Sequence, residues 1–261
     1  MKIKIEIEEL SLTYPIISGQ SFLARKSLIE TIVDIFSKTK KKKTESKSEN
    51  KYPKITALKN INFQLEEGDK LGLVGLNGSG KSTLLKCLSG ILEPDFGSKI
   101  KINGSYLPII NPINFSENED TVLNNLILIA QILGFKFEYV KENADLILNF
   151  CELTEYSNYP FQTLSTGMRF KLIFSICFLL KRDNYFIDEF LTTGDEKFQN
   201  KGFKLINEKM SDSTIVLCSH SQEVIKKFCN KILVLNKGEQ IFFGDLEEGM
   251  HIFNKIIADN Y

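Results

Sequence analysis

The stretch Gly75-Leu76-Asn77-Gly78-Ser79-Gly80-Lys81-Ser82-Thr83 constrains this chain more than any other. It fits G-x-x-x-x-G-K-[ST], a phosphate-binding loop that requires a strand before it and a helix after it. Both are present. Lys70-Leu71-Gly72-Leu73-Val74 reads as a short, largely apolar buried strand, and Lys81 to Ser89 reads as a helix stopped by Gly90. The glycines let the backbone curl until its N–H groups approach phosphate oxygens. The positive end of the new helix faces the same oxygens. Lys81 supplies a full charge to the β- and γ-phosphates, and Ser82 offers a hydroxyl to Mg2+. The candidate nucleotide-binding residues are Gly75, Asn77, Gly78, Ser79, Gly80, Lys81, Ser82 and Thr83. A glycine-rich turn carrying a chance Gly-Lys-Ser would lack these flanks. Alone, the loop establishes a nucleoside-triphosphate site and no more.

The chain has 261 residues, 43% hydrophobic and 25% charged, which suits one large globular domain or a core with a subdomain. Lysine plus arginine and aspartate plus glutamate both number 33, and a net charge of zero argues against a general nucleic-acid binder. The five cysteines lack C-x-x-C spacing and read as reduced, mostly buried thiols of a cytosolic protein without a zinc site. The start has no signal-peptide core, and no apolar run approaches the ~18 residues of a membrane span. A membrane role requires a partner that supplies the spanning part.

In chain order, Lys2 to Glu8 alternates charged and apolar residues and reads as a half-buried antiparallel strand. Leu10 to Tyr14 continues it and Pro15 breaks it. Tyr14 either packs in the core or offers a stacking platform for an adenine ring. Ser21 to Ser37 has the rhythm of an amphipathic helix, followed by a lysine run and a polar, solvated loop to Lys51. Its apolar face suits either the domain's own core or a membrane subunit or lipid surface. Ala57 to Leu65 is a strand, Glu66 to Asp69 a turn, and Lys99 to Gly104 a short strand closing in a turn. A helical block follows: Thr121 to Leu133, Phe137 to Phe150 and Gly167 to Leu180. Tyr185 to Glu189 and Ser213 to Cys218 are buried strands. Lys231 to Leu235 and Glu239 to Phe243 pair around Asn236-Lys237-Gly238, and the tail from Asp245 is helical.

Asp188 and Glu189 fall at the carboxyl end of their strand, where open parallel sheets place functional groups. There Asp188 can hold Mg2+ opposite Ser82, and Glu189 can polarise an attacking water. Otherwise the pair is a solvated strand end. Ser165 suits a helix N-cap. With Gly167 and the helix start it also makes an outward-facing anion site. His220 follows a buried strand and is placed to hydrogen-bond a γ-phosphate.

The phosphate loop, Leu164-Ser165-Thr166-Gly167-Met168, Phe186-Ile187-Asp188-Glu189, Gly194-Asp195 and Ser219-His220-Ser221 occur in the order found in ATP-binding subunits of ABC transporters. The chain resembles that family over essentially its whole length. Thr166 and Met168 depart from the usual Leu-Ser-Gly-Gly-Gln signature. Ser-x-Gly-Met followed by Arg169, Gly194-Asp195 with Phe198 and Lys201, and an inserted segment before Ala57 resemble the branch that exports capsule, O-antigen or teichoic acid polysaccharides. O-antigen relatives often carry an added carbohydrate-binding domain. This chain ends too early for one, so the capsule or short-subunit type is expected.

The resemblance implies an α/β P-loop NTPase core with an antiparallel β subdomain and a helical subdomain. Residues 1–14, 55–106 and 183–245 would form the nucleotide-binding core and 15–54 an insertion. Residues 107–182 would form the helical signature subdomain and 246–261 a tail. It implies ATP and Mg2+ as cofactors and a head-to-tail homodimer with each ATP between one copy's loop and the other's signature, Ser165, Thr166, Gly167 and Met168. It implies Mg2+ positioned by Ser82 and Asp188, water activated by Glu189, the γ-phosphate sensed by His220, the two sites linked by Asp195, and adenine stacked on Tyr14. The partner would be an integral membrane permease that contacts the polysaccharide, with this subunit at the cytoplasmic face of the inner membrane. The family's coupling glutamine is missing from Leu107 to Phe115, where Asn111 or Asn114 would have to substitute. Three alternatives remain: a motor for another exported cargo, a soluble ABC protein acting on ribosomes or DNA, and a phosphate-loop kinase. The soluble ABC class tends to have two cassettes or a coiled-coil insertion, and a kinase has no need of the signature.

Overall fold

The computed structural model describes residues 2–15, 54–110, 119–189 and 195–259. The expected amphipathic helix and basic loop after Pro15, the asparagines 111 and 114, and residues 190–194 lie outside them.

The described residues form a nine-stranded sheet. Strands β1 (Ile3–Pro15), β2 (Lys54–Glu66) and β4 (Lys99–Ile102) make an antiparallel wing. Strands β3 (Lys70–Val74), β5 (Tyr106–Ile109), β6 (Asn184–Asp188), β7 (Thr214–Cys218) and β8 (Lys231–Asn236) run parallel, in the order β8-β3-β7-β6-β5. Strand β9 (Glu239–Asp245) joins the two parts, antiparallel to β8 and parallel to β2. Pro15 pairs with Lys54 where β1 and β2 end together.

The interiors of the central parallel strands β3, β6, β7 and β8 are apolar because both faces are covered, whereas edge strand β5 leaves Tyr106 exposed. Tyr185, Ile187, Ile215 and Leu217 meet helices α4 (Thr166–Leu179), α5 (Glu196–Lys209), α6 (Gln222–Phe228) and α7 (Leu246–Asp259). Phe186, Val216, Leu233 and Leu235 face α1 (Lys81–Leu88) and the wing. A third apolar cluster belongs to the helical block, where α2 (Val122–Ile132) and α3 (Phe137–Phe150) pack on α4. All five cysteines are free and buried. Burial pushes the Cys177 and Cys229 thiols up to about 12.

The wing departs from simple alternation. Ile5 and Ile7 are buried, and so are Leu10 and Leu12, which a flat strand would turn to the other face. Glu9 takes φ 51° and the register shifts there, so one extra residue restores the apolar face. Asn60 does the same in β2 at φ 48°. The amides at these bulges are satisfied: Glu9 N–H donates to Asn62 Oδ1 at 2.8 Å and Asn60 N–H to Ser11 Oγ at 3.0 Å.

Three elements lie beyond the sequence reading. Residues 107–109, placed there at the start of the helical block, belong to β5 and pair with β6 in the core sheet. Pro108 is tolerated because β5 is an edge strand. Helices α5 and α6 are not announced by the local pattern of the sequence. Helix α5 buries Phe198, Leu205 and Ile206, while Gly202 gives Phe174 room: a Cβ there would lie 2.5 Å from its Cζ.

An ion cluster ties the wing to the residue that precedes β6. Lys4 of β1, 4% exposed, reaches Asp183 Oδ1 at 3.2 Å and Glu67 Oε1 at 3.3 Å. Asp183 Oδ2 accepts from the Ser105 hydroxyl at 2.7 Å and amide at 2.8 Å. These Ser105 bonds, then Lys4, hold the Asp183 carboxyl down to about 2. A depressed carboxylate stabilises the fold fully above its unfolded value near ~4 and ceases to as pH falls through its folded value. Asp183→Asn is therefore expected to cost about 1 kcal/mol at neutral pH, allowing for solvent screening. In urea titrations the gap from the parent should close between pH 4 and pH 2. A constant gap would mean that the charge contributes nothing.

Candidate functional site

The phosphate loop lies at the carboxyl end of β3, between β7 and β8. Gly80 is the N-cap of α1 at φ 105° and brings no side-chain cap, so the helix's first amides have no capping partner. A Cβ at Gly80 would sit 2.8 Å from Leu58 Cδ2 and 2.9 Å from the Ala57 carbonyl, so only glycine fits. Gly78, at φ 77°, has open space where a Cβ would stand. Lys81 is 8% exposed, and its ammonium donates to the carbonyls of Gly75 at 2.8 Å and Leu76 at 3.2 Å. The buried Oγ of Ser79 has no hydrogen-bond partner. Uncapped amides, a poised ammonium and an orphaned hydroxyl form a set of donors that fits a phosphate chain.

A cleft of about 450 Å3 opens over the loop. Asn77 through Thr83 form one side. Ile55, Thr56, Ala57, Lys237 and Gly238 form the wall, and Glu189, Cys218 and His220 lie toward the parallel strands. The structure thus brings together the phosphate loop, Glu189 and His220. Asp188 ends β6 partly exposed, in register with Cys218, a cleft residue. Cys218 stays a neutral thiol, pushed up to about 12 by burial and then by the Asp188 carboxylate.

Glu189, the residue after β6, takes φ 54°, a left-handed conformation costing a non-glycine residue about 1 kcal/mol. Its amide donates to the Cys218 carbonyl at 3.0 Å. His220 Nε2 donates to Glu189 Oε1 at 2.6 Å. The sequence gives these two residues separate tasks, whereas here they bond to each other.

Ser82 is exposed in the cleft. With Asp188 it offers hard oxygen donors, the set Mg2+ takes alongside phosphates and water. No group of three or more His, Cys, Asp or Glu that could hold a metal occurs among the described residues. An ion here would therefore depend on the nucleotide for further ligands.

Tyr14 is not in the cleft. It packs partly buried against the antiparallel core, and its partner across the strands, Ile55, is 55% exposed and lines the wall.

The signature residues are elsewhere as well. Ser165 caps α4, its Oγ accepting from Met168 N–H at 3.3 Å. Ser165, Thr166 and Gly167 are exposed, Met168 is half-buried against the helical block, and none lines the phosphate-loop cleft. One turn into α4, Lys171 reaches Asp195 Oδ2 at 2.6 Å, while Asp195 Oδ1 caps α5 through Phe198 N–H at 2.8 Å. The Lys171 ammonium, then that amide, lowers the Asp195 carboxyl below its usual range. No local pattern in the sequence announces this pair, which joins the signature helix to the expected inter-site residue.

The same holds for the cleft wall. The β8–β9 turn rests on the loop: Gly238 N–H donates to the Ser79 carbonyl at 3.0 Å, and Lys59 N–H donates to the Gly238 carbonyl at 2.8 Å. The turn was legible in Asn236-Lys237-Gly238, but nothing local announces that it meets a loop so far back in the chain.

The family model described as ABC transporter matches residues 58–192. The chain is 35% identical over 204 residues to the capsule polysaccharide export ATP-binding protein CtrD of Neisseria meningitidis serogroup B, covering 77% of this chain and 91% of that one. It is 36% identical over 212 residues to the teichoic acids export ATP-binding protein TagH of Staphylococcus haemolyticus, covering 80% and 79%. Among solved structures, an ATP-binding subunit of an ABC transporter superposes with TM-score 0.70 at 22% identity, over 96% of this chain and 93% of that one. A dimeric ATP-binding cassette in a post-hydrolysis state with ADP and Pi gives 0.64 at 19% identity, over 93% and 98%.

Proposed function

The chain belongs to the ABC transporter family, and we propose that it is the motor of a polysaccharide exporter. It is an ATP-binding subunit that hydrolyses ATP. The cargo reading is supported by the relatives' names, capsule polysaccharide and teichoic acid export. No described helix is long and apolar enough to cross a membrane, so the path for the cargo is assigned to an integral membrane permease. This subunit would act at the cytoplasmic face of the inner membrane.

One observation carries the mechanism: the exposed N-terminus of α4, with Ser165 and Gly167, lies outside the cleft of its own chain. Such an end suits an anion that another molecule presents. A second copy, docked head to tail, supplies that anion as the triphosphate in its own phosphate loop. Within each cleft the loop amides and Lys81 hold the phosphates. Ser82 and Asp188 would hold Mg2+, which neutralises phosphate charge when bound. Glu189 takes the proton of the attacking water, and His220, released from Glu189, donates to the γ-phosphate. ATP joins the copies and its hydrolysis releases them. The Lys171–Asp195 pair makes the signature helix and the inter-site residue move together.

The cargo is tested in cells that carry Glu189→Gln. Surface polysaccharide is expected to disappear while polymer accumulates inside. Normal surface polymer, with the variant expressed and membrane-bound, would discard the polysaccharide and keep the ATPase.

A further inference from the structure

The turn between β8 and β9 contains a lysine with no part in the proposed hydrolysis. Lys237 and Gly238 occupy its two central positions with φ 49° and 82°. Two successive left-handed residues make the hairpin turn that fits antiparallel strands, and Asn-Gly is its favoured sequence. Gly238 is required on steric grounds, since a Cβ would lie 2.6 Å from the Ala57 carbonyl. Lys237 is not, because asparagine or glycine would hold the same backbone with less strain. The lysine therefore contributes something besides the turn. Its side chain is exposed, and it lines the nucleotide cleft.

The turn's position says which part of a nucleotide it meets. Gly238 is hydrogen-bonded to Ser79, and its Cα lies 3.7 Å from where a Gly80 Cβ would stand. The turn thus rides on the last residues of the phosphate loop. The Lys81 ammonium lies at the other end, on Gly75 and Leu76. His220 also belongs to that end, lining a neighbouring cavity with Gly75, Leu76 and Asn77. The two lysines approach the cleft from opposite ends, and only one of them is near the reacting groups.

We propose that Lys237 is a second cation of the nucleotide site, binding the phosphate nearest the ribose and adding affinity without acting in the chemical step. This rests on the cleft being the ATP site. A charge that contacts substrate and transition state equally changes KM and leaves kcat alone.

The test compares the wild-type chain with Lys237→Asn and Lys237→Arg, using a fluorescent ATP analogue, adenosine as competitor, and steady-state hydrolysis. Lys237→Asn relieves the turn, so its Tm should equal or exceed the parent's. It is expected to raise Kd for the analogue and KM for ATP by roughly three- to tenfold, the range of a partly solvated ion contact. Adenosine competition should be unaltered and kcat should stay within about twofold. Lys237→Arg should restore affinity. Equal analogue affinity in Lys237→Asn and wild type would overturn this assignment alone. So would a fall in kcat at unchanged KM, which would move Lys237 to the reacting end. A wild-type chain that binds no analogue would overturn the ATP site with it.

Discussion

Glu189→Gln is expected to lower ATP turnover by about two to four orders of magnitude, the usual contribution of a positioned general base. Glutamine keeps the size of the side chain and an oxygen that can accept from His220 Nε2, so the 2.6 Å contact has a successor and the strand end keeps its shape. What disappears is the group that takes the proton. Nucleotide affinity should therefore survive. Without hydrolysis the two copies should remain joined, and light scattering should report a stable dimer in ATP and a monomer without it. A monomer in ATP would contradict the two-copy site. Turnover within tenfold of the parent would remove Glu189 from the role of base and leave its contact with His220 as a purely positional one.

Lys81→Ala acts on the other side of the cleft and on a different quantity. Its ammonium is almost fully enclosed, and its hydrogen-bond partners are the carbonyls of Gly75 and Leu76. Phosphate oxygens would compete for that charge in a site where desolvated pairs couple strongly. Nucleotide affinity is expected to fall roughly a hundredfold, about 2.7 kcal/mol. The loop itself should persist, since Gly80 is wedged against Leu58 and Ala57 and Ser79 is tied to the β8–β9 turn. Titration with a fluorescent ATP analogue measures the loss, and a thermal melt checks that the fold is intact. Unchanged binding would place the phosphates away from Lys81.

The parts of this molecule that were legible in the sequence are those whose chemistry is local. The phosphate loop announces itself because backbone curvature, helix start and cation fall within one short stretch. Asp188 and Glu189 stand out in the sequence because an apolar run buried on both faces stops at two carboxylates. Helix α3 was read with its ends intact, its apolar residues recurring at helical spacing. Strand β5 was not seen, since it is short and includes Pro108, which only its edge position permits. Helix α5 was hidden by Gly202 and many polar residues, and its glycine makes sense only against Phe174. The wall of the cleft and the Lys171–Asp195 pair join residues distant in sequence, and no local pattern encodes such meetings. Tyr14 has two readings in the sequence because the residue type and strand end suit both; its packing against the antiparallel core, with Ile55 across the strands lining the cleft, depends on cross-strand neighbours that no local pattern encodes.

The pairing of Pro15 with Lys54 has a consequence for how chains of this kind diversify. Paired strands stand about 4.8 Å apart, so the chain leaves β1 and returns to β2 through one narrow gap, however many residues lie between. Closing a longer excursion costs little, about 0.6 kcal/mol for each doubling of its length. The position thus works as an expansion port. A change of length there leaves the paired ends of both strands in place. Ile55, one residue beyond the port, already belongs to the nucleotide cleft. The points where the described strands part and rejoin therefore adjoin the cleft, so the strands that frame it are anchored independently of what lies between them.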